Sequence, residues 1–114
     1  MAASGYVLDG DLLFGDFEVM ETPGHTPGHV AYYYRPERAL FAGDALAVIG
    51  GRVRFMARPV TLDLPAARTS MLKCLTKDIH AIYPGHREPL TTLVPDRVRE
   101  ATRRVTTGDW PLLG

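Results

Sequence analysis

Short apolar runs separated by Gly, Asp and Pro fill the first half of the chain, and a longer hydrophobic period follows them. The runs predict strands over 6–8, 12–14, 17–21, 30–34, 39–42 and, later, 79–83. Apolar side chains from 64 to 76 fall on one helical stripe with Asp63 placed to cap it, and a second helix is predicted over about 95–105. Strands that precede helices predict an α+β domain, a mostly antiparallel sheet with about two helices on one face.

This predicted sheet is apolar on both faces, which creates a packing problem. Two helices can cover one face, and a chain of 114 residues has little left for the other. A large uncovered apolar face is typical of an association surface. The alternating run from Arg52 to Arg58, with Phe55 and Met56 in it, is either a substrate mouth or an edge strand guarded by charge.

Composition and charge narrow the classes of function. The chain is 46% hydrophobic, and 13 Lys and Arg balance 13 Asp and Glu, which argues against a dedicated nucleic-acid or membrane-surface binder. The first residues lack the basic and apolar regions of a signal peptide, and no apolar run is long enough to span a bilayer. The single cysteine, Cys74, is expected to be inert core, and its solitary state fits a cytoplasmic protein.

Three of the predicted strands end in Gly-containing loops that offer a side chain able to bind metal. These side chains are His25, Asp44 and His86. Residues at strand ends are held by the sheet and still face solvent, where a substrate can reach them. Two imidazoles and one carboxylate suit zinc, with iron or manganese as alternatives. The long intervals between them imply ligands that converge through the fold.

The first of these loops holds two histidines, His25 and His29, between two Pro-Gly pairs. Pro and Gly predict a tight loop here, so the pair does not form the helical His-x-x-x-His arrangement of metalloproteases. A rigid loop suits His25 as a ligand, because ligand geometry must be held closely. We expect His29 to make structural hydrogen bonds instead, and His80, in the middle of a strand, to pack or face solvent.

The motifs Thr-Pro-Gly-His-Thr-Pro-Gly-His at 22–29, Leu-Phe-Ala-Gly-Asp at 40–44 and Tyr-Pro-Gly-His at 83–86 together resemble the metallo-β-lactamase superfamily. Its glyoxalase II-like and lactonase-like hydrolases are the most similar in pattern. The resemblance implies that His25 binds one metal, that Asp44 bridges two metals and that His86 binds the second. It also implies that His29 is not a ligand.

The chain departs from that family in one respect. The His-x-His-x-Asp-His signature is absent, since the only histidines are His25, His29, His80 and His86. The chain therefore resembles the C-terminal half of the family's αββα sandwich, as one partial domain over residues 1–114. The two sheets of that sandwich pack face to face, so a lone half is expected to recruit a second sheet. A second copy about a twofold axis or a complementary N-terminal half could supply it.

Two functions of different classes follow. In the first, the chain is a metal-dependent hydrolase of a small ester, thioester or lactone, with one or two zinc ions and with Asp44 as the catalytic carboxylate. A second chain completes its site. In the second, it is a catalytically inactive half-domain that self-associates and keeps vestigial ligands. Metal analysis of the purified protein distinguishes the two.

Overall fold

A computed structural model describes residues 8–24, 28–57, 63–85, 88–107 and 112–113, the last two and 56–57 by their backbone only. It contains nine strands and two α-helices. In chain order they are β1 Leu12–Leu13, β2 Phe17–Glu21, β3 Val30–Tyr34, β4 Ala39–Gly43, β5 Ala47–Ile49, β6 Arg52–Arg54, β7 Met56–Ala57, α1 Leu64–Leu75, β8 Ala81–Pro84, α2 Val94–Thr106 and β9 Leu112–Leu113.

The main sheet has five strands in the order β1-β2-β3-β4-β8. Its first three pairings are antiparallel, and β8 lies parallel to β4. The strands β2, β4 and β8 therefore run in the same direction, and their C-terminal ends lie at one end of the sheet. The predicted α+β class with a mostly antiparallel sheet is confirmed.

The strand predictions are confirmed most closely where the apolar runs are compact. The limits of β2 and β3 are those predicted, whereas the run from 52 to 58 divides into β6 and β7. The strand β6 returns along β5 through a turn at Gly50 and Gly51, both at positive φ, and β7 pairs with β9. Residues 6–7 of the first predicted strand lie outside the described residues, and β8 begins at Ala81.

One face of the sheet packs against both helices in a single hydrophobic cluster. The sheet contributes alternate residues from neighbouring strands, as the period of two requires. The cluster's members from sheet and helices include Met20, Ala31, Leu40, Ala42, Ile82, Met71, Cys74, Leu75, Val98, Ala101 and Val105. Burial raises the pKa of the Cys74 thiol to about 12, in agreement with the inert core position predicted for it.

Both helices form close to where the sequence predicts them. The Asp63 carboxylate accepts the backbone N–H of Ala66 at 3.0 Å and caps α1 as expected. The sequence predicts Leu64 on the inner stripe, but it is 38% exposed, because the core contact begins later in the helix. Arg68 of α1 donates to the Val105 carbonyl at 2.8 Å and so satisfies the C-terminal end of α2. No helix in the described part of the chain could span a membrane.

The other face of the sheet carries a group of rings that we call the aromatic face: Phe17, Tyr32, Tyr34, Phe41 and Tyr83. Phe41 and Tyr83 stack with centroids 5.1 Å apart, and the Phe17 centroid lies 4.7 Å from that of Tyr34. None of these rings belongs to the cluster that the described helices cover. Phe41 and Tyr83 are each 38% exposed. Within the described residues, this partial exposure agrees with the uncovered apolar face that the sequence predicts.

Two residues of the suggested substrate mouth, Phe55 and Arg52, contact other parts of the fold. Phe55 is 5% exposed and belongs to the core, and the Arg52 guanidinium lies 3.7 Å from Glu100 of α2. The core position of Phe55 excludes it from an open mouth, whereas the Arg52 side chain is still 49% exposed. Arg58 lies outside the described residues.

Candidate metal centre

The three loops predicted to carry metal ligands follow β2, β4 and β8. Because these strands run in the same direction, all three loops leave the same end of the sheet. The strands β4 and β8 are neighbours, about 4.8 Å apart, and β2 lies two strands from β4, about 10 Å away. His25 and His86 lie outside the described residues, so the structure gives the position of Asp44 and of the chain that leads to the other two.

Asp44 lies directly after β4, half-buried, at a sharp change of backbone direction. Gly43 has φ +54, in the left-handed region that glycine adopts without strain. The Gly85 N–H donates to the Gly43 carbonyl at 2.8 Å. A Cβ atom on Gly85 would lie 3.4 Å from Asp44 Oδ1, so the backbone just before residue 86 lies against the Asp44 carboxylate.

His29 makes two hydrogen bonds through its ring. Its Nε2 accepts the Asp44 backbone N–H at 2.9 Å, and its Nδ1 lies 2.6 Å from the Thr22 hydroxyl oxygen. An amide nitrogen can only donate, so Nε2 is unprotonated and the neutral ring carries its proton on Nδ1. Both nitrogens are occupied, which confirms the expectation that His29 makes structural hydrogen bonds.

Glycine permits this ring to approach the end of β4. A Cβ on Gly43 would lie 2.6 Å from His29 Nε2, a distance that side chains do not tolerate. From the sequence, only the aspartate of the Gly-Asp motif has an evident role. The ring contact shows that the glycine has a separate and equally specific role.

The loop after β2 is fixed to α1 before it reaches residue 25. Gly24 has φ +131, and a Cβ there would lie 2.2 Å from the Ala67 nitrogen. The Asp63 N–H donates to the Gly24 carbonyl at 3.0 Å, and the Ser70 hydroxyl donates to the Pro23 carbonyl at 2.6 Å. The start of α1 is therefore part of the scaffold of the site, which sequence reasoning did not find.

The described residues do not form a metal site by themselves. Among them, no three His, Cys, Asp or Glu side chains are placed to hold a metal ion. His80 is 51% exposed and lies 3.4 Å from Asp78 at the start of β8, far along the strand from Asp44. The prediction that His80 packs or faces solvent is confirmed, and the roles of His25, Asp44 and His86 as ligands stay predictions.

Comparison with curated proteins identifies hydrolases that are similar to this chain in sequence. A hydroxyacylglutathione hydrolase of Rhizobium etli is 38% identical over 112 residues, which cover 85% of this chain and 40% of that protein. A hydroxyacylglutathione hydrolase of Francisella tularensis subsp. novicida is 49% identical over 88 residues, 71% of this chain and 32% of that protein. The chain thus spans well under half the length of these relatives.

Solved structures give the same result for the fold. A di-iron-bound structure of TTHA1623 superposes with a TM-score of 0.61 at 32% identity, over 81% of this chain and 45% of that one. The metallo-beta-lactamase family protein TTHA1429 of Thermus thermophilus gives a TM-score of 0.55 at 29% identity, over 89% and 35% of the two chains. The family model of the metallo-beta-lactamase superfamily matches residues 6–86. On these matches and on its fold, the chain belongs to the metallo-β-lactamase superfamily.

Proposed function

We propose that residues 1–114 form one partial domain of a metal-dependent hydrolase whose substrate is a small thioester. The Gly85 backbone against the Asp44 carboxylate is the observation that carries this proposal. It brings the chain before His86 to Asp44, at the end of the sheet that also receives the loop of His25. The thioester is favoured over an ester or lactone because hydroxyacylglutathione hydrolases are among the relatives.

In this proposal His25 and His86 hold metal through imidazole nitrogens, and Asp44 is the catalytic carboxylate. Imidazole and carboxylate donors fit one or two zinc ions, and they also fit iron or manganese. The metal supplies polarisation of a carbonyl oxygen and activation of water. The Asp44 carboxylate would serve as a further metal ligand, or it would accept a hydrogen bond from the attacking water and so orient it.

The aromatic face supports a second sheet as the partner that completes the site. The Phe41 and Tyr83 rings remain partly exposed, and burial of such surface drives association. A second copy, packed sheet to sheet about a twofold axis that runs parallel to the strands, would bring two sets of ligands to the same end of the sandwich. A complementary N-terminal half would supply the missing His-x-His-x-Asp-His ligands in its place. The single cysteine, kept as a buried free thiol, supports a cytoplasmic location.

Metal content and hydrolysis test the site together. We expect the purified chain, loaded with Zn²⁺ and freed of excess, to retain about one ion per chain or more. Asp44→Asn keeps the volume of the side chain but removes its charge, and it should lower both zinc retention and thioester turnover by about a hundredfold. Asp16→Asn is the matched control, since Asp16 lies in the β1–β2 turn at the opposite end of the sheet.

One specific observation favours a second candidate function. The aromatic face is present while the His-x-His-x-Asp-His signature is not. A catalytically inactive half-domain that self-associates needs the aromatic face but does not need the His-x-His-x-Asp-His signature. Such a protein would form dimers, retain no zinc and hydrolyse no ester, thioester or lactone, with no difference between Asp44→Asn and Asp16→Asn. A monomer at micromolar concentration in light scattering would contradict association with a second copy.

A further inference from the structure

We propose that His29 is a positioning residue that holds the peptide group between Gly43 and Asp44, and that Thr22 sets the ring for this task. The inference rests on the proposed function of Asp44 as a metal ligand. His29 itself contacts no metal in this assignment. It acts on the direction in which Asp44 presents its carboxylate.

The two hydrogen bonds at this position hold opposite sides of one peptide group. Its carbonyl, on Gly43, accepts the Gly85 N–H at 2.8 Å, and its N–H, on Asp44, donates to His29 Nε2 at 2.9 Å. Gly85 follows β8 and His29 precedes β3, the two strands on either side of β4. The peptide plane is therefore held from both neighbouring strands, and with it the position of the Asp44 Cα atom from which the carboxylate extends.

This support is needed because the regular ladder has ended. The β3–β4 pairing ends at Tyr32 and Phe41, and the register of β4 against β8 shifts between Phe41 and Gly43. A left-handed residue then turns the chain. The imidazole supplies, at the end of β4, the acceptor that a strand carbonyl would supply within the sheet.

Thr22 holds the His29 ring in the orientation that directs Nε2 toward the Asp44 N–H. Thr22 is 2% exposed, its hydroxyl lies 2.6 Å from Nδ1, and its own N–H donates to the His29 carbonyl at 2.9 Å. Because Nε2 accepts the Asp44 N–H, the proton of the neutral ring is on Nδ1, and the Thr22 hydroxyl oxygen accepts a hydrogen bond from this N–H group. With the opposite tautomer two N–H groups would face each other. The hydrogen bonds between Thr22 and His29 and between Asp44 and His29 thus connect the ends of β2 and β4 through the residue that precedes β3.

Four substitutions separate positioning from folding. His29→Leu removes the acceptor and keeps an apolar side chain, whereas His29→Gln can place an amide oxygen close to the position of Nε2. Thr22→Val removes the hydroxyl at nearly constant shape. His80→Leu is the matched control, because His80 is half exposed at the other end of β8. Melting of the metal-free proteins reports any loss of fold.

The measurements are Zn²⁺ affinity by chelator competition and the exchange rate of the Asp44 amide in the metal-free protein. We expect His29→Leu to weaken Zn²⁺ binding by about 10- to 100-fold, Thr22→Val by roughly threefold to tenfold, and His29→Gln and His80→Leu by less than about threefold. Exchange of the Asp44 amide should accelerate in His29→Leu and stay slow in His29→Gln. A loss of melting temperature with unchanged affinity is the signature of a merely structural role.

The outcomes distinguish this inference from the proposed function. If the wild-type chain binds zinc and folded His29→Leu binds it equally well, the positioning role is overturned and the hydrolase proposal stands. If the wild-type chain binds no zinc, the hydrolase proposal falls and the positioning role falls with it. If His29→Leu does not fold, equal zinc affinity in Thr22→Val and wild type overturns the positioning role.

Discussion

The two faces of the sheet differ in how far their side chains are buried, although both faces are apolar. Ile82 is fully buried beneath the helices, and its neighbour Tyr83, on the opposite face, is 38% exposed. Leu40 and Phe41 show the same contrast one strand away. Because side chains alternate along a strand, apolar residues lie on both faces of the sheet. The described helices cover one of these faces.

The difference extends to the type of side chain. The covered face is mostly aliphatic, and it interlocks with α1 and α2. The open aromatic face carries stacked rings that are partly exposed, while the smaller side chains of Val19 and Ala39 on the same face are 0% and 3% exposed. Aromatic rings with polar tips tolerate partial exposure and also suit interfaces. In the described part of the chain, the helices cover one face of the sheet, and rings of the other face remain partly exposed.

Thiol reactivity should show the largest difference between the faces. In the Phe41→Cys variant, alkylation at neutral pH should modify the introduced thiol about a thousandfold or more faster than Cys74. Burial raises the pKa of Cys74 to about 12, while a thiol on the open face keeps an ordinary pKa. Peptide mapping by mass spectrometry gives both rates in one sample. Comparable rates would mean that α1 does not cover Cys74.

Truncation of adjacent residues should give the next largest contrast. Ile82→Ala leaves a cavity in the covered face and should lower the free energy of unfolding by about 2–5 kcal/mol. Tyr83→Ala loses ring stacking at a partly exposed position and should cost about 1 kcal/mol. Urea denaturation of dilute protein measures both. Equal losses would contradict the assignment of the two faces.

Association should depend on the open face. Phe41→Ser should weaken self-association by about tenfold or more, since partly exposed rings at the centre of an interface carry much of its binding energy. Phe14→Ser is the matched control, because Phe14 is 95% exposed in the β1–β2 turn and does not belong to the aromatic face. Sedimentation equilibrium gives the dissociation constants. Equal weakening in both variants would remove the aromatic face from the interface.

The smallest expected effect concerns the ion pair between Asp9 and Lys73 of α1. A hydrogen bond from Lys73 of α1, followed by the backbone N–H of Glu21, lowers the pKa of Asp9. A lowered pKa in the folded state stabilises the fold at pH above the unfolded pKa of about 3.9, and this contribution is lost as the pH falls through the folded pKa. Asp9→Asn should therefore cost about 0.5 kcal/mol at neutral pH.

The measurement for Asp9 is thermal melting as a function of pH. The difference between wild type and Asp9→Asn should be present near neutrality and vanish in strong acid, where the carboxyl is protonated in both states. A difference that persists unchanged in acid would mean that the effect of the substitution does not depend on the charge of Asp9.

Much of the fold could be predicted because its signals are local. The compact runs at β2 and β3 and the Asp63 cap of α1 each depend on residues close together in sequence. The substrate mouth around Phe55 could not be judged in this way, since its burial depends on α2, far along the chain. The role of Gly24 was missed for the same reason, as its close contact is with Ala67.

The sequence by itself determined the strand and helix periods, the positions of the turns, and the three loops that carry His25, Asp44 and His86. Only the tertiary structure decided that β8 lies parallel beside β4, which brings Gly85 against Asp44, and that His29 joins the ends of β2 and β4. The physical reason is that local preferences fix φ and ψ over a few residues. Contacts between distant segments depend on how one sheet face is buried by the helices of the same chain.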